Sequence, residues 1–147
     1  MEKKDRSPRI RVAAERILLV RHHKHGRDYY LLPGGGVMWG ESMSEALSRE
    51  MEEETGLKVQ AGKLLCVSET IFPDSSRHIV NMVFRGIESG GELKPSSDVR
   101  VRGAEFVDLR ELDRVELYPP MADFLNRAGR SGYEDGGIYL GKLWREM

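Results

Sequence analysis

The 147-residue chain has one cysteine, Cys66, so no disulfide can form within it. A reducing compartment, the cytoplasm, is the expected location. No apolar run approaches the length of a bilayer span, and the charged stretch from Met1 to Arg11 lacks the apolar core of a signal peptide. A membrane partner is therefore not expected. Net charge is also scarce: 23 Lys and Arg stand against 24 Asp and Glu, leaving −1. That balance argues against wholesale attraction to a nucleic acid polymer. There is no internal repeat and no long low-complexity tract. What is present is an ordinary globular composition, 39% hydrophobic and 32% charged, in a length that fits one domain.

Residues 1–8 read as a loose polar terminus, 9–128 as a domain, and 129–147 as an extension. Within the domain, Ile10 to Ala14 and Ile17 to Val20 read as short strands, with Glu15 and Arg16 as the turn between them. Tyr29 to Leu32 is a further strand, stopped by Pro33. After Pro33-Gly34-Gly35-Gly36 the pattern becomes helical and holds to Thr55, with Ser42 and Glu45 placed for a capping box and Gly56 for a helix stop. Leu57 to Phe72 has the spacing of one or two strands, Pro73 to Ser76 is a turn, and His78 to Ile87 is a strand. Ala104 to Val107 is a short strand, Leu109 to Leu112 a helical turn, and Pro119 to Ala128 a second helix. The extension ends in apolar residues (Ile138, Tyr139, Leu140, Leu143, Trp144) that need burial, on the domain or on a partner subunit; a homodimer is the expected assembly. The fold class is α/β (α+β), a mixed β-sheet between helices.

The acidic helix carries the chemistry. At about 100° per residue, Met43, Ala46 and Leu47 share one arc of about 120° with Glu50, Glu53 and Glu54. A solvated helix paired with Lys and Arg is the ordinary reading of three glutamates in a row. Here the glutamates continue the apolar face, and inward carboxylates need a positive partner. A hard divalent cation, Mg²⁺ or Mn²⁺, meets that need. Glu50 and Glu54, one turn apart, can reach one such ion, with Glu53 beside them.

Gly35, Glu41, Arg49, Glu50, Met51, Glu53, Glu54, Gly56 and Leu57 fill every specified position of the Nudix box, and the chain resembles the Nudix hydrolase family. Seven identities at about one in twenty each arise by chance on the order of 10⁻⁹ per register. The resemblance implies the Nudix α/β/α sandwich and attack of water on a phosphorus of a nucleoside diphosphate linked to another moiety. It implies Glu50, Glu53, Glu54 and the Gly34 carbonyl as metal ligands. Arg49 and Glu41 become a pair that aims them. Glu53, Glu50, Arg49 and Glu105 are the catalytic set, with Glu105 first among candidate bases over Asp98 and Glu69.

The box does not name the substrate. Pro73 stands 16 residues after Leu57, as in family members that cleave ADP-ribose, so ADP-ribose or a nucleotide sugar is the first expectation. Arg77, Trp39 and Pro73 are the candidate substrate-binding residues. The His22, His23, His25 cluster reads as a solvated loop, and Arg21 and Arg85 are unplaced cations. Two alternatives stay open: a MutT-like nucleoside triphosphate pyrophosphatase, and a non-catalytic nucleotide-binding module. The intact glutamates weigh against the module.

Overall fold

The elements follow in the order β1 (Arg9–Ala13), β2 (Ile17–Lys24), β3 (Arg27–Leu31), β4 (Gly34–Gly36), α1 (Met43–Thr55), β5 (Leu57–Ile71), β6 (His78–Gly91), β7 (Val101–Val107), a 3-10 helix (Leu109–Arg114), β8 (Leu117–Tyr118), α2 (Ala122–Arg130) and β9 (Ile138–Lys142). The computed structural model describes residues 9–13, 17–94, 101–134 and 136–144. The expected turn at Glu15 and Arg16 lies outside them. The mixed sheet is divided in two, with orders β4-β1-β6-β5-β9 and β7-β2-β3-β8. Each holds both parallel and antiparallel pairs.

Strand alternation makes this a sandwich. On β2, Ile17 and Leu19 enter one core with Leu65, Cys66, Val83 and Leu125, while Leu18 enters another with Ala46, Leu47 and Met51. On β6, Val83 joins the first core, and Met82 and Phe84 pack on the second. The sheets therefore form the middle layer, with α2 on one face and α1 on the other.

β4 and α2 depart from the sequence expectation, and β5 settles an alternative it left open. β4 is a strand of three glycines, held because β1 pairs with it at Ile10↔Gly35. β5 is one 15-residue strand, whose irregularities around Gly62 are absorbed as register shifts against β6. Helix α2 starts at Ala122, after both prolines, with no side-chain cap. At the far edge, β9 pairs parallel to β5, Val67 opposite Tyr139. Among the described residues no helix is long and apolar enough to cross a membrane.

Candidate metal and catalytic site

Local chemistry fixes α1. Ser42 Oγ accepts the Glu45 N–H at 3.1 Å, and the Glu45 carboxylate accepts the Ser42 N–H at 3.2 Å. At the other end Gly56 adopts the left-handed conformation, φ 84°, and donates to the Glu52 carbonyl at 3.0 Å. Between these caps the buried residues are Ala46, Leu47, Met51 and Thr55. Measured from Glu50, they span about −40° to +140° around the helix. Glu50 and Glu54 fall inside that arc and are half-buried. Glu53, at about −60° by the same spacing, falls outside, and its side chain is 62% exposed. Met43 is 43% exposed, because the apolar stripe begins one turn later, at Ala46 and Leu47.

The glycine strand lies against these carboxylates. A Cβ on Gly35 would stand 2.4 Å from the Glu50 carboxyl carbon and 2.5 and 2.6 Å from its oxygens. The Gly34 N–H donates to Glu54 Oε2 at 3.2 Å. Only a residue without a side chain leaves Glu50 its place.

Arg49 ties the cluster together. Its Nε and Nη2 donate to the two oxygens of Glu41 at 2.7 and 2.8 Å. Nη2 also donates to the Gly36 carbonyl at 3.1 Å. Nη1 donates to Glu50 Oε1 at 2.9 Å and to Glu53 Oε2 at 3.2 Å. Glu41 in turn accepts the Met38 N–H at 3.0 Å. The Arg49 hydrogen bonds first, and the Met38 amide second, hold the Glu41 carboxyl down to about 2. Glu41 and then Glu50 raise the Arg49 guanidinium above its ordinary range.

Among the described residues no three His, Cys, Asp or Glu side chains converge into a ready-made metal cage. The guanidinium occupies one oxygen each of Glu50 and Glu53 instead. The donor set still fits a hard divalent cation. Every donor is oxygen, and Glu50 and Glu54 are turned inward. The Glu50 carboxylate takes the space a Cβ would fill at Gly35, and three carboxylates, those of Glu41, Glu50 and Glu53, share one guanidinium while Glu54 accepts the Gly34 amide. Glu50, Glu54 and the Gly34 carbonyl are the residues able to hold such an ion, with Glu53 at the rim.

The other expected residues sit elsewhere. Glu105 lies between Ala104 and Phe106, which pack on the α1 core; its own carboxylate meets the Tyr30 hydroxyl, with Arg21 alongside. Burial first, and Glu105 second, raise the Tyr30 hydroxyl's pKa. Asp98 lies outside the described residues. Glu69 accepts from Tyr139 and pairs with His78 at 2.9 Å. Trp39 is fully exposed, its ring bare of packing among the described residues. Pro73 is exposed in the β5–β6 turn. Arg77 lies over the Phe72 ring at 5.5 Å, and that ring packs on Trp144 at 4.9 Å. His23 pairs with Asp28 at 2.7 Å, His22 stacks on Tyr29, and Arg85 lies 5.9 Å over Tyr133. Sequence reasoning missed Tyr139 and Tyr30, which carry no motif and reach their carboxylates only through strand pairing.

A family model described as NUDIX domain matches residues 7–128. An ADP-ribose pyrophosphatase of Methanocaldococcus jannaschii is 37% identical over 99 residues, covering 67% of this chain and 57% of the relative. A NAD-capped RNA hydrolase NudC of Photobacterium profundum is 33% identical over 92 residues, covering 60% of this chain and 33% of that one. The chain thus matches from a third to little more than half of these relatives' length. Among solved structures, a UDP-X diphosphatase superposes with a TM-score of 0.72 at 25% identity, covering 95% of this chain and 69% of that chain.

Proposed function

This chain belongs to the Nudix family, and from that premise we propose that it is a divalent-cation-dependent pyrophosphohydrolase acting on a nucleoside diphosphate joined to a second group. The observation that carries the reading is the Arg49 guanidinium aiming Glu50 and Glu53 beside the Gly34–Gly35 strand. A binding module has no need of carboxylates so supported.

In this reading Glu50, Glu54 and the Gly34 carbonyl hold Mg²⁺ or Mn²⁺. Such an ion neutralises diphosphate charge and makes a bound water more acidic. Arg49, fixed by Glu41 and the Gly36 carbonyl, sets the direction of the glutamates. Glu53 is exposed and held by one 3.2 Å bond, which leaves it free to accept the proton of the attacking water. Water oxygen bonds to phosphorus, the P–O bond to the bridging oxygen breaks, and a nucleoside monophosphate and a phosphorylated second group leave. Glu105 stands second as base, because substrate would first have to displace its Tyr30 hydrogen bond. Trp39 offers a bare ring for a nucleobase. Arg77 and Pro73 sit at a hairpin tip suited to the far end of the substrate.

ADP-ribose is the first substrate, supported by the Pro73 spacing and by the name of the archaeal relative. NAD-like compounds follow from the name of the bacterial one. The triphosphate alternative shares the same catalytic groups. A cytoplasmic location rests on the single thiol, Cys66, buried and pushed up to about 12 by that burial. A homodimer rests on the exposed Ile138, Tyr139 and Trp144 and is checked by light scattering.

The test is chromatographic detection of products from ADP-ribose, NAD, nucleotide sugars and the nucleoside triphosphates, with Mg²⁺ or Mn²⁺. Cleavage of ADP-ribose to AMP and ribose 5-phosphate is expected. Cleavage of triphosphates alone would move the assignment to the MutT-like alternative, and no cleavage of any compound would move it to the binding module.

A further inference from the structure

A guanidinium has five N–H donors, and Arg49 commits all five: three to Glu41 and Gly36, two to Glu50 and Glu53. The two groups of bonds differ in kind. The pair to Glu41 is a parallel fork at 2.7 and 2.8 Å to a carboxylate that is itself anchored by the Met38 amide. The bonds to Glu50 and Glu53 radiate from one nitrogen, Nη1, at 2.9 and 3.2 Å, and the longer reaches an exposed side chain. Nη1 thus sits on Glu50 Oε1, an oxygen that a divalent cation would also take, and on the rim carboxylate of Glu53 beside it.

We propose that Arg49 is an exchangeable internal cation: Nη1 holds Glu50 and Glu53 together in the cation-free protein and yields oxygens when a divalent ion binds, while the Glu41 fork keeps the guanidinium from competing for the vacated carboxylates. The proposal rests on the cation-dependent reading above and deepens it. Arg49 is then a positioning residue with two opposed effects. It organises the carboxylates, and it must be restrained from neutralising them. Glu41 supplies the restraint. Aspartate, one methylene shorter, or glutamine, without charge, supplies less of it.

The opposition gives a sign that a purely structural role cannot produce. Mn²⁺ affinity is measured by calorimetry on the full chain, with circular dichroism as the check of folding. Glu41→Gln loosens the fork and is expected to weaken Mn²⁺ binding about tenfold, the low end for lost outer partners of a ligand. Adding Arg49→Gln removes the competitor, and the double variant is expected to return to within about threefold of the wild type. A double variant as weak as Glu41→Gln, or weaker, overturns the proposal. Arg49→Lys gives a second route should Glu41→Gln fold poorly. Lysine keeps the charge without the fork, so Arg49→Lys is expected to bind Mn²⁺ more weakly than Arg49→Gln. The reverse order overturns the proposal. A wild type that binds no Mn²⁺ overturns the cation-dependent reading along with it, whereas strong wild-type binding with additive losses overturns this inference alone.

Discussion

The carboxylate of Glu50 lies where a side chain on Gly35 would be, 2.4 Å from the position of its Cβ. The backbone of Gly35 does not require left-handed geometry, so the contact alone decides what an added methyl does. It meets the flexible end of Glu50 rather than backbone. Gly35→Ala is therefore expected to cost stability about 1 kcal/mol or less, while displacing Glu50 lowers kcat/KM about 10²-fold. Thermal denaturation and steady-state kinetics on the same sample check the split. A large loss of stability with unchanged kcat/KM would contradict the placement of Glu50.

Helix α1 is held to the sheets by its apolar stripe, and Leu47 in that stripe is fully buried among Leu18, Leu57 and Val59. Leu47→Ala is expected to destabilise the fold by about 2–5 kcal/mol, read as a lowered urea midpoint with little change in slope. A loss below about 1 kcal/mol would mean that α1 does not rest on this core.

The caps and the inward glutamates of α1 were legible in the sequence, because both depend on spacing along one helix. Ser42, Glu45 and Gly56 sit as expected. The burial arc was displaced toward Met51, which the pattern alone did not show, since it depends on where the sheet lies. That displacement leaves Glu53 outside. β4 was not legible because three glycines have no alternation to read. β9 was hidden for a different reason: it pairs parallel with β5, about seventy residues earlier, as in the Val67–Tyr139 register, and no local signal announces so distant a partner. The three register shifts of β5 against β6 interrupt its alternation without ending the strand, which is why it read as one or two strands.

The Tyr139–Glu69 contact makes the attachment of β9 sensitive to pH. Tyr139 first, and His78 second, lower the Glu69 carboxyl below its ordinary 4.5. A depressed carboxylate contributes stability that is present above the unfolded value and is lost as pH falls through the folded one. Tyr139→Phe is therefore expected to destabilise the protein at pH 7 and to converge on the wild type as pH drops below about 4.5. Urea denaturation of both proteins at several pH values checks this. A difference that grows toward acid would contradict the assignment of the shift to Tyr139.

Glu50 and Glu54 are proposed as the catalytic edge of α1. The decisive measurement is ADP-ribose hydrolysis with Mg²⁺ in the wild type, Glu50→Gln and Glu54→Gln, each shown to be folded by circular dichroism. AMP formation by the wild type is expected, with a fall in kcat of about 10²–10³-fold in both variants, the scale of losing a group that stabilises the transition state. Wild-type turnover that survives both substitutions would contradict that assignment.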